Sequence, residues 1–441
     1  MSKPTLWHLS WPILLDMLLQ TGINNANVLL MAQYSATAVG AVAAANQLLG
    51  LAPFIYGFVA VGTQILASQL IGAKRQQAVS SLVATAFAAA VALGVLVSAL
   101  AIVGAGYFLS LIGLRGAMLE AGTTYLQYGG FGVACAALSN TVLALLRSYG
   151  HTRAAILVPL LTNGITLCGS FLSVHNPWVA QQWGVAGLGW GMLCGNLCGL
   201  ACALWLTGKL LHYTPSDCHW RKWSLAQLKA ILRLGLPSSG EALSYQGAQV
   251  LVLALVASLG VTALITKSYL NAISQLLTLA AFAFAQGNQI IVGRLIGAGQ
   301  VQVVKRTALV TTGKMVLLTA GICSLALLFS APLLHCYTHD AQVLLLARRI
   351  LIAEAVLDCI RTVNIVLVDA LNAVGDVRTP FLYSLVVMWA ISIPFAYVLA
   401  VPAGFGLIGI WLAYIIDEGL RGILMLRRWQ SGKWQDLAVT A

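Results

Sequence analysis

Charge is what this chain has least of. Asp, Glu, Lys and Arg make up 8% of its 441 residues, and only 12 residues are acidic, whereas soluble domains carry roughly 25% charged residues. A soluble globular body is thereby excluded. Polar stretches are equally scarce: the one of any length is KLLHYTPSDCHWRKWSLAQLKA at 209–230, and almost nothing is left over for a water-soluble domain. The glycine-rich phosphate loop that ends in Gly-Lys-Ser/Thr is missing, and with it the usual nucleotide cradle. Seven histidines occur, in expected loops or helix ends and never beside a carboxylate deep in an apolar run, which argues against a membrane-embedded enzyme. The first apolar run carries Pro12 and Asp16 and lacks a small-residue cleavage site, so it is expected to stay as a first helix rather than act as a signal peptide.

What is abundant is apolar sequence. Mean hydropathy is +0.89, and twelve apolar stretches, centred near 22, 58, 93, 133, 165, 198, 246, 278, 318, 358, 390 and 416, each approach the ~20 residues that a spanning helix needs. The expected class is an all-α polytopic membrane protein with twelve transmembrane helices. Basic residues (Lys74, Arg75, Arg147, Arg153, the 209–230 connector, Arg294, Lys305, Arg306, Arg378, Arg427, Arg428, Lys433) fall in alternate loops. The positive-inside rule places those loops and both termini in the cytoplasm, with Arg348 and Arg349 as exceptions. The net charge of +12 therefore reads as orientation signal facing anionic lipid rather than a nucleic-acid footprint. Nine cysteines are scattered; Cys194, Cys198 and Cys202 share helical spacing without a His or carboxylate and read as packing. His335, His339 and Asp340 have ligand-like spacing but no clear further ligand, so no metal is expected.

The chain repeats itself. A shift of 225 positions brings LSWPILLD (from Leu9) onto LGLPSSGE (from Leu234), pairing Pro12 with Pro237 and Asp16 with Glu241. The same gap-free shift pairs Asn46 with Asn271, Gly62 and Gln64 with Gly287 and Gln289, LIGA at 70–73 with LIGA at 295–298, and RSYGHTR (147–153) with NAVGDVR (372–378). Six helices per repeat make both halves enter the membrane in the same direction, the parallel-repeat arrangement. The expected division is an N-terminal six-helix lobe at 1–208, a cytoplasmic connector at 209–230 and a C-terminal six-helix lobe at 231–441. Gly187, Gly191, Gly195 and Gly199 form a four-residue stripe, expected to let another helix approach closely.

One stretch breaks the apolar rule. EAVLDCIRTVNIVLVDALNAVGD at 354–376 carries Glu354, Asp358, Arg361 and Asp369, all within about 80° of arc at 100° per residue. Each charge in hydrocarbon costs at least ~2.5 kcal/mol, so this face must point into protein or a water-filled space. Asp358 and Arg361 are spaced for an i, i+3 pair, yet three carboxylates outnumber one arginine. The first repeat has Gly129, Val133, Ala136 and Ala144 at the same places, and Val42 and Ala89 where Lys267 and Lys314 stand. The fold therefore does not need these charges, and they suggest a task in the second lobe. Helix 1 offers a milder polar side of Asp16, Gln20, Asn24 and Asn27. Asp16 and Glu241, each four residues after its proline, are expected about one turn into their helices, near the cytoplasmic side, either lining a cavity mouth or interacting with free first-turn amides.

The opening LSWPILLDMLLQTGINNANVLLMAQYSATAVGAVAAANQ, its twin from 234, the LIGAKR and GRLIGAGQ turns and GDVRTP together resemble the multidrug and toxic compound extrusion family along essentially the whole chain. The resemblance implies two six-helix lobes in a V around a central cavity, in a bacterial inner membrane. It implies a secondary antiporter that exports small amphipathic organic compounds, cationic ones among them, in exchange for H+ or Na+ by alternating access, as a monomer among lipids and without a cofactor. Export or flipping of a lipid-linked or anionic metabolite stays open as the alternative. The chain departs from the family pattern at its ion-site positions: Asn27 stands where an aspartate is usual, Tyr245 where the sodium-type branch has a glutamate, and Arg361 at the usual aspartate of helix 10. Candidate residues for the coupling-ion or substrate cavity are thus Asp16, Asn27, Glu241, Tyr245, Lys267, Lys314, Glu354, Asp358, Arg361 and Asp369, with Lys267, Lys314 and Arg361 able to receive an anion.

Overall fold

The computed structural model describes residues 5–32, 36–211 and 223–437, and among them no strand occurs. Twelve long helical segments follow in order. They are α1 (Leu6–Ala32), α2 (Gly40–Gly72), α3 (Gln76–Val103), α4 (Gly116–Ser148), α5 (Thr152–His175), α6 (Pro177–Leu211), α7 (Leu225–Ser258), α8 (Val261–Gly297), α9 (Val301–Leu328), α10 (Ala341–Ala373), α11 (Arg378–Ala400) and α12 (Gly406–Gln430). Among the described residues, nine of these are apolar and long enough to cross a bilayer. The remaining three, α1, α10 and α12, are 27, 33 and 25 residues long, or roughly 40, 50 and 38 Å at 1.5 Å per residue, and so also of spanning length. Large apolar side chains stay exposed along the helices, such as Leu317 at 75% and Val95 at 55%, as expected where lipid rather than water is the solvent.

The chain divides into two compact units, residues up to Ser239 and from Gly240 onward. In the first, α4 packs on α2, α3 and α6, and α5 lies against α1 and α6; in the second, α10 packs on α8, α9 and α12, and α11 on α12. The central helix of each unit is the fourth of its repeat. Conformation repeats as well: the left-handed turns at Lys74 (φ 56°) and Gly150 (φ 82°) recur at Gly299 (φ 73°) and Gly375 (φ 94°), 225 positions later. The boundary between units falls inside α7, two residues after Pro237. The first part of α7 belongs to the first unit, where Gly62 meets the Ile231 backbone and Gly235 the Phe58 backbone with no room for a β-carbon. The connector expected at 209–230 is helical to Leu211 and again from Leu225, and its residues 212–222 lie outside the described part.

The glycine stripe of α6 packs against α5. Gly191 touches Gly169, and β-carbons at Gly195 and Gly199 would collide with Thr162, so the two helices approach at backbone distance. One expectation needs correction. Pro12 and Pro237 lie inside their helices, which begin at Leu6 and Leu225; Asp16 and Glu241 are therefore well beyond the first turn, where free amides end. Asp340 serves as the N-cap of α10, accepting from the backbone N–H groups of Gln342 and Val343, which gives it a structural role beside His335 and His339.

Candidate functional site

The charged face of α10 turns inward, because α10 is the element that the rest of the second unit packs around. Glu354 and Asp358 are buried at 2% and 0% exposure. Arg361 Nη1 donates to Asp358 Oδ1 at 2.6 Å and lies 3.5 Å from Glu354 Oε1, while its Nε is 3.4 Å from Glu418 Oε1 on α12. Ser274 on α8 accepts from Arg361 at 3.0 Å and donates to Asp358 at 3.2 Å. The indole N–H of Trp411 is bonded to the second oxygen of Glu354. One guanidinium thus gathers three carboxylates from two helices.

Three members of this network were not anticipated from the sequence. Asp417, Glu418 and Arg421 on α12 are all buried. Arg421 Nη2 reaches Asp417 Oδ2 at 2.6 Å and Glu418 Oε1 at 3.0 Å, and Asn364 Nδ2 donates to Glu418 Oε2 at 2.8 Å. Their signal in the sequence was IIDEGLRG inside the last apolar stretch, the same kind of exception that singles out α10. Among the described residues four carboxylates now face two guanidiniums, so two negative charges have no further cation at ion-pair distance. In a low-dielectric interior such an excess is neutralised by protons or by a bound cation.

Tyr245, Gln249, Arg361, Ser392, Tyr414, Asp417 and Glu418 line a narrow cavity of ≈ 10 Å³ beside the network, room for the centre of about one water molecule. Met388 and Ser392, which also line it, come from a six-residue π-helical turn, Val387–Ser392, inside α11. Such turns shift the register of side chains and recur at functional sites. Lys267 on α8, 2% exposed, reaches the cavity wall through neutral groups: its Nζ donates to Tyr414 OH at 3.1 Å and to Gln249 Oε1 at 3.4 Å, and Tyr414 OH donates to Gln249 at 3.0 Å.

The other candidates lie elsewhere. Glu241 accepts a 2.6 Å hydrogen bond from Ser384 on α11, and its charge acts on Asp369 of α10. Lys314 is exposed on α9 and does not join the network. Asp16, in the first unit, is paired with Arg147 Nη2 at 2.8 Å and accepts from Gln20 at 3.0 Å; it is a closed ion pair rather than a lone acid in an uncharged lining. The side chain of Asn27 lies outside the described residues.

The repeat shows what the same scaffold does without charge. Shifted by 225, Ser274, Asp358, Arg361 and Asp417 correspond to Leu49, Val133, Ala136 and Met192. All four belong to or pack against one apolar cluster of the first unit. Apolar side chains fill the place that ion pairs occupy in the second unit, and buried ion pairs contribute no more stability than such packing.

Against this geometry stand the relatives. The MatE family profile matches residues 12–210 and 237–398. The chain belongs to the MatE family, whose members are transporters. It is 30% identical over 430 residues to the uncharacterized transporter YisQ of Bacillus subtilis, covering 98% of this chain and 94% of that one. To the probable multidrug resistance protein NorM of Thermotoga maritima it is 23% identical over 445 residues, covering 99% and 94%. Solved structures share its fold at 18% identity: a MATE protein in the straight conformation at a TM-score of 0.88, covering 97% of this chain and 95% of that one, and a Pyrococcus furiosus transporter with a binding pocket of reverse polarity at 0.85, covering 97% and 94%. The chain thus carries the network around Arg361 and Arg421 on the family's scaffold in its second unit.

Proposed function

We propose that this MatE protein is a secondary multidrug antiporter of a bacterial inner membrane, exporting small amphipathic organic compounds against an inward flow of H+ or Na+ by alternating access, with both termini cytoplasmic. The observation that carries the reading is the buried, net-negative network around Arg361 and Arg421, at a place where the first unit has only uncharged residues, Gly129, Val133, Ala136, Met192, Leu193 and Asn196. Evolution of one scaffold into an apolar and an ionisable version gives the second unit a site whose charge state follows an ion gradient. The cavity beside it is too small for an organic substrate, so it suits the coupling ion. The relatives named for multidrug resistance, NorM and MdtK, support the substrate class.

A second reading, export of an anionic or lipid-linked metabolite, would rest on Lys267 and Arg361. Both already hold internal partners, which favours the first. The test uses everted vesicles from cells expressing the chain and the fluorescent cation ethidium. An acid-inside or Na+-rich interior should drive ethidium uptake, and vesicles without the chain should show none. Failure of both gradients to move ethidium, together with chain-dependent movement of a labelled phospholipid, would replace antiport with flipping.

A further inference from the structure

Lys267 is a buried cation without a carboxylate at ion-pair distance. Its two hydrogen-bond acceptors, Tyr414 OH and Gln249 Oε1, are neutral, and no ion pair to it occurs among the described residues. An ammonium so placed is costly to keep, because neither neutral acceptor offsets its charge. Across the cavity Asp417 presents the complementary feature. It is 4% exposed, its Oδ2 is held by Arg421, and its Oδ1 has no partner. Tyr414 and Asp417 both line the cavity, so the residue whose hydroxyl Lys267 contacts and the residue with the unpartnered carboxylate oxygen border one space with room for about one water.

The charged groups around each end are few. Facing Lys267 are Tyr414 from α12, Gln249 from α7 and, through its charge, Glu354 from α10. Facing Asp417 are Arg421, Glu418 and Arg361. A metal ion would find little to bind. Asp358 Oδ1, Glu354 Oε1 and Glu418 Oε1 already face guanidinium nitrogens, and Glu354 Oε2 and Glu418 Oε2 accept from Trp411 and Asn364. Among the described residues two carboxylate oxygens of the network are left unengaged, Asp417 Oδ1 on a cavity-lining residue and Asp358 Oδ2 on a residue outside that lining, whereas hard cations gather several oxygen ligands in one place.

We infer that Lys267 and Asp417 form a proton relay across this cavity, with Tyr414 as the connecting hydroxyl, and that the ion exchanged for substrate is therefore a proton. The inference rests on the antiport reading and names its ion. In the transfer step the Lys267 ammonium gives a proton to the Tyr414 oxygen. The Tyr414 hydroxyl, turning from Gln249 toward the cavity, gives its own proton through a water to Asp417 Oδ1. An ammonium and a carboxylate become an amine and a carboxylic acid, and no charge is created or lost. Hydration of either end from one side of the membrane then lets that end exchange its proton with that side.

The test is the ratio of gradient-driven to gradient-free ethidium equilibration in proteoliposomes containing the whole chain. For the wild-type protein a pH gradient should raise the rate and a Na+ gradient alone should not. Lys267→Met, Lys267→Arg and Asp417→Asn should each lower the driven-to-undriven ratio at least tenfold, because a neutral chain and a permanent cation both fail to pass a proton. Tyr414→Phe, which keeps shape and charge, should lower it too and guards against loss of folding in the other variants. Retention of pH-driven transport by Lys267→Arg alone would reduce Lys267 to a structural cation and overturn the relay, as would an unchanged ratio in Tyr414→Phe. A wild-type protein driven by Na+ and not by pH would overturn the relay while leaving antiport standing; one driven by neither would remove antiport itself.

Discussion

Removing Arg361 should cost more than removing any one of its acids, and removing it together with Asp358 should cost less than the sum. In Arg361→Met, Asp358 loses its ion pair and is left with Ser274, while Glu354 keeps Trp411 and Glu418 keeps Arg421 and Asn364. The penalty therefore concentrates on one fully buried carboxylate, and breaking a buried pair from one side costs about 3–5 kcal/mol. Asp358→Asn is milder, because Arg361 still has Glu418 at 3.4 Å and Glu354 at 3.5 Å. The double variant leaves neither an orphaned carboxylate at 358 nor a guanidinium lacking its shortest bond, so a coupling energy of about 1–3 kcal/mol in favour of the double is expected. Apparent unfolding temperatures of the four detergent-purified proteins, measured at one pH and protein concentration, give the cycle. Strict additivity, or a larger loss in Asp358→Asn than in Arg361→Met, would refute the assignment of Arg361 as the centre of the network.

Further outcomes follow from the same geometry. In the first unit Arg147→Met should lower stability and Asp16→Asn should recover part of the loss when added to it, since their 2.8 Å pair is buried at the acid; a thermal double-mutant cycle reads this. Gly195→Ala should destabilise by about 1–3 kcal/mol through overpacking, because a β-carbon there meets the Thr162 carbonyl, whereas Gly164→Ala, with nothing within 4 Å, meets no clash; melting curves of the pair decide. Trp434→Ala should cost about 3–5 kcal/mol, as Trp434 is fully buried and stacked on Trp429 at 4.5 Å, and should expose the C-terminal segment to limited proteolysis.

The repeat and the charged face of α10 were legible because both are patterns within one stretch of chain: a fixed shift preserving turn formers, and ionisable residues on one side of an apolar helix. The turn glycines Gly150 and Gly375 even kept their left-handed backbone. What the sequence hid were partners. Arg147 looked like an orientation signal in a loop, yet it is the last basic residue of α4 and pairs with Asp16, 131 positions away. Asp417, Glu418 and Arg421 passed unnoticed since their charges nearly cancel within one turn, and only the packing of α12 on α10 turns them into a second half of the site. The helix starts were misplaced for a simpler reason. A proline tolerated six residues or more inside α1 and α7 was read as a boundary, though spanning helices accept proline where neighbours satisfy the freed groups.

The two acids retained by the repeat show how one inherited position takes on different roles. Asp16 meets Arg147, a permanent cation, and the pair needs nothing further. The residue equivalent to Arg147 in the second unit is Asn372, and the hydroxyl of Ser384 that holds Glu241 stands where the first unit has Pro159. Glu241 has therefore exchanged a fixed positive partner for a neutral donor, and Asp369 beside it adds a second acid at a place where the first unit has Ala144. Among the described residues the first unit has one buried acid, Asp16, and pairs it with Arg147, whereas the second accumulates acids faster than arginines, both here and around the cavity. In an interior without solvent ions such a surplus has to be met by protons or a bound cation, a demand that the ion-paired Asp16 of the first unit does not make.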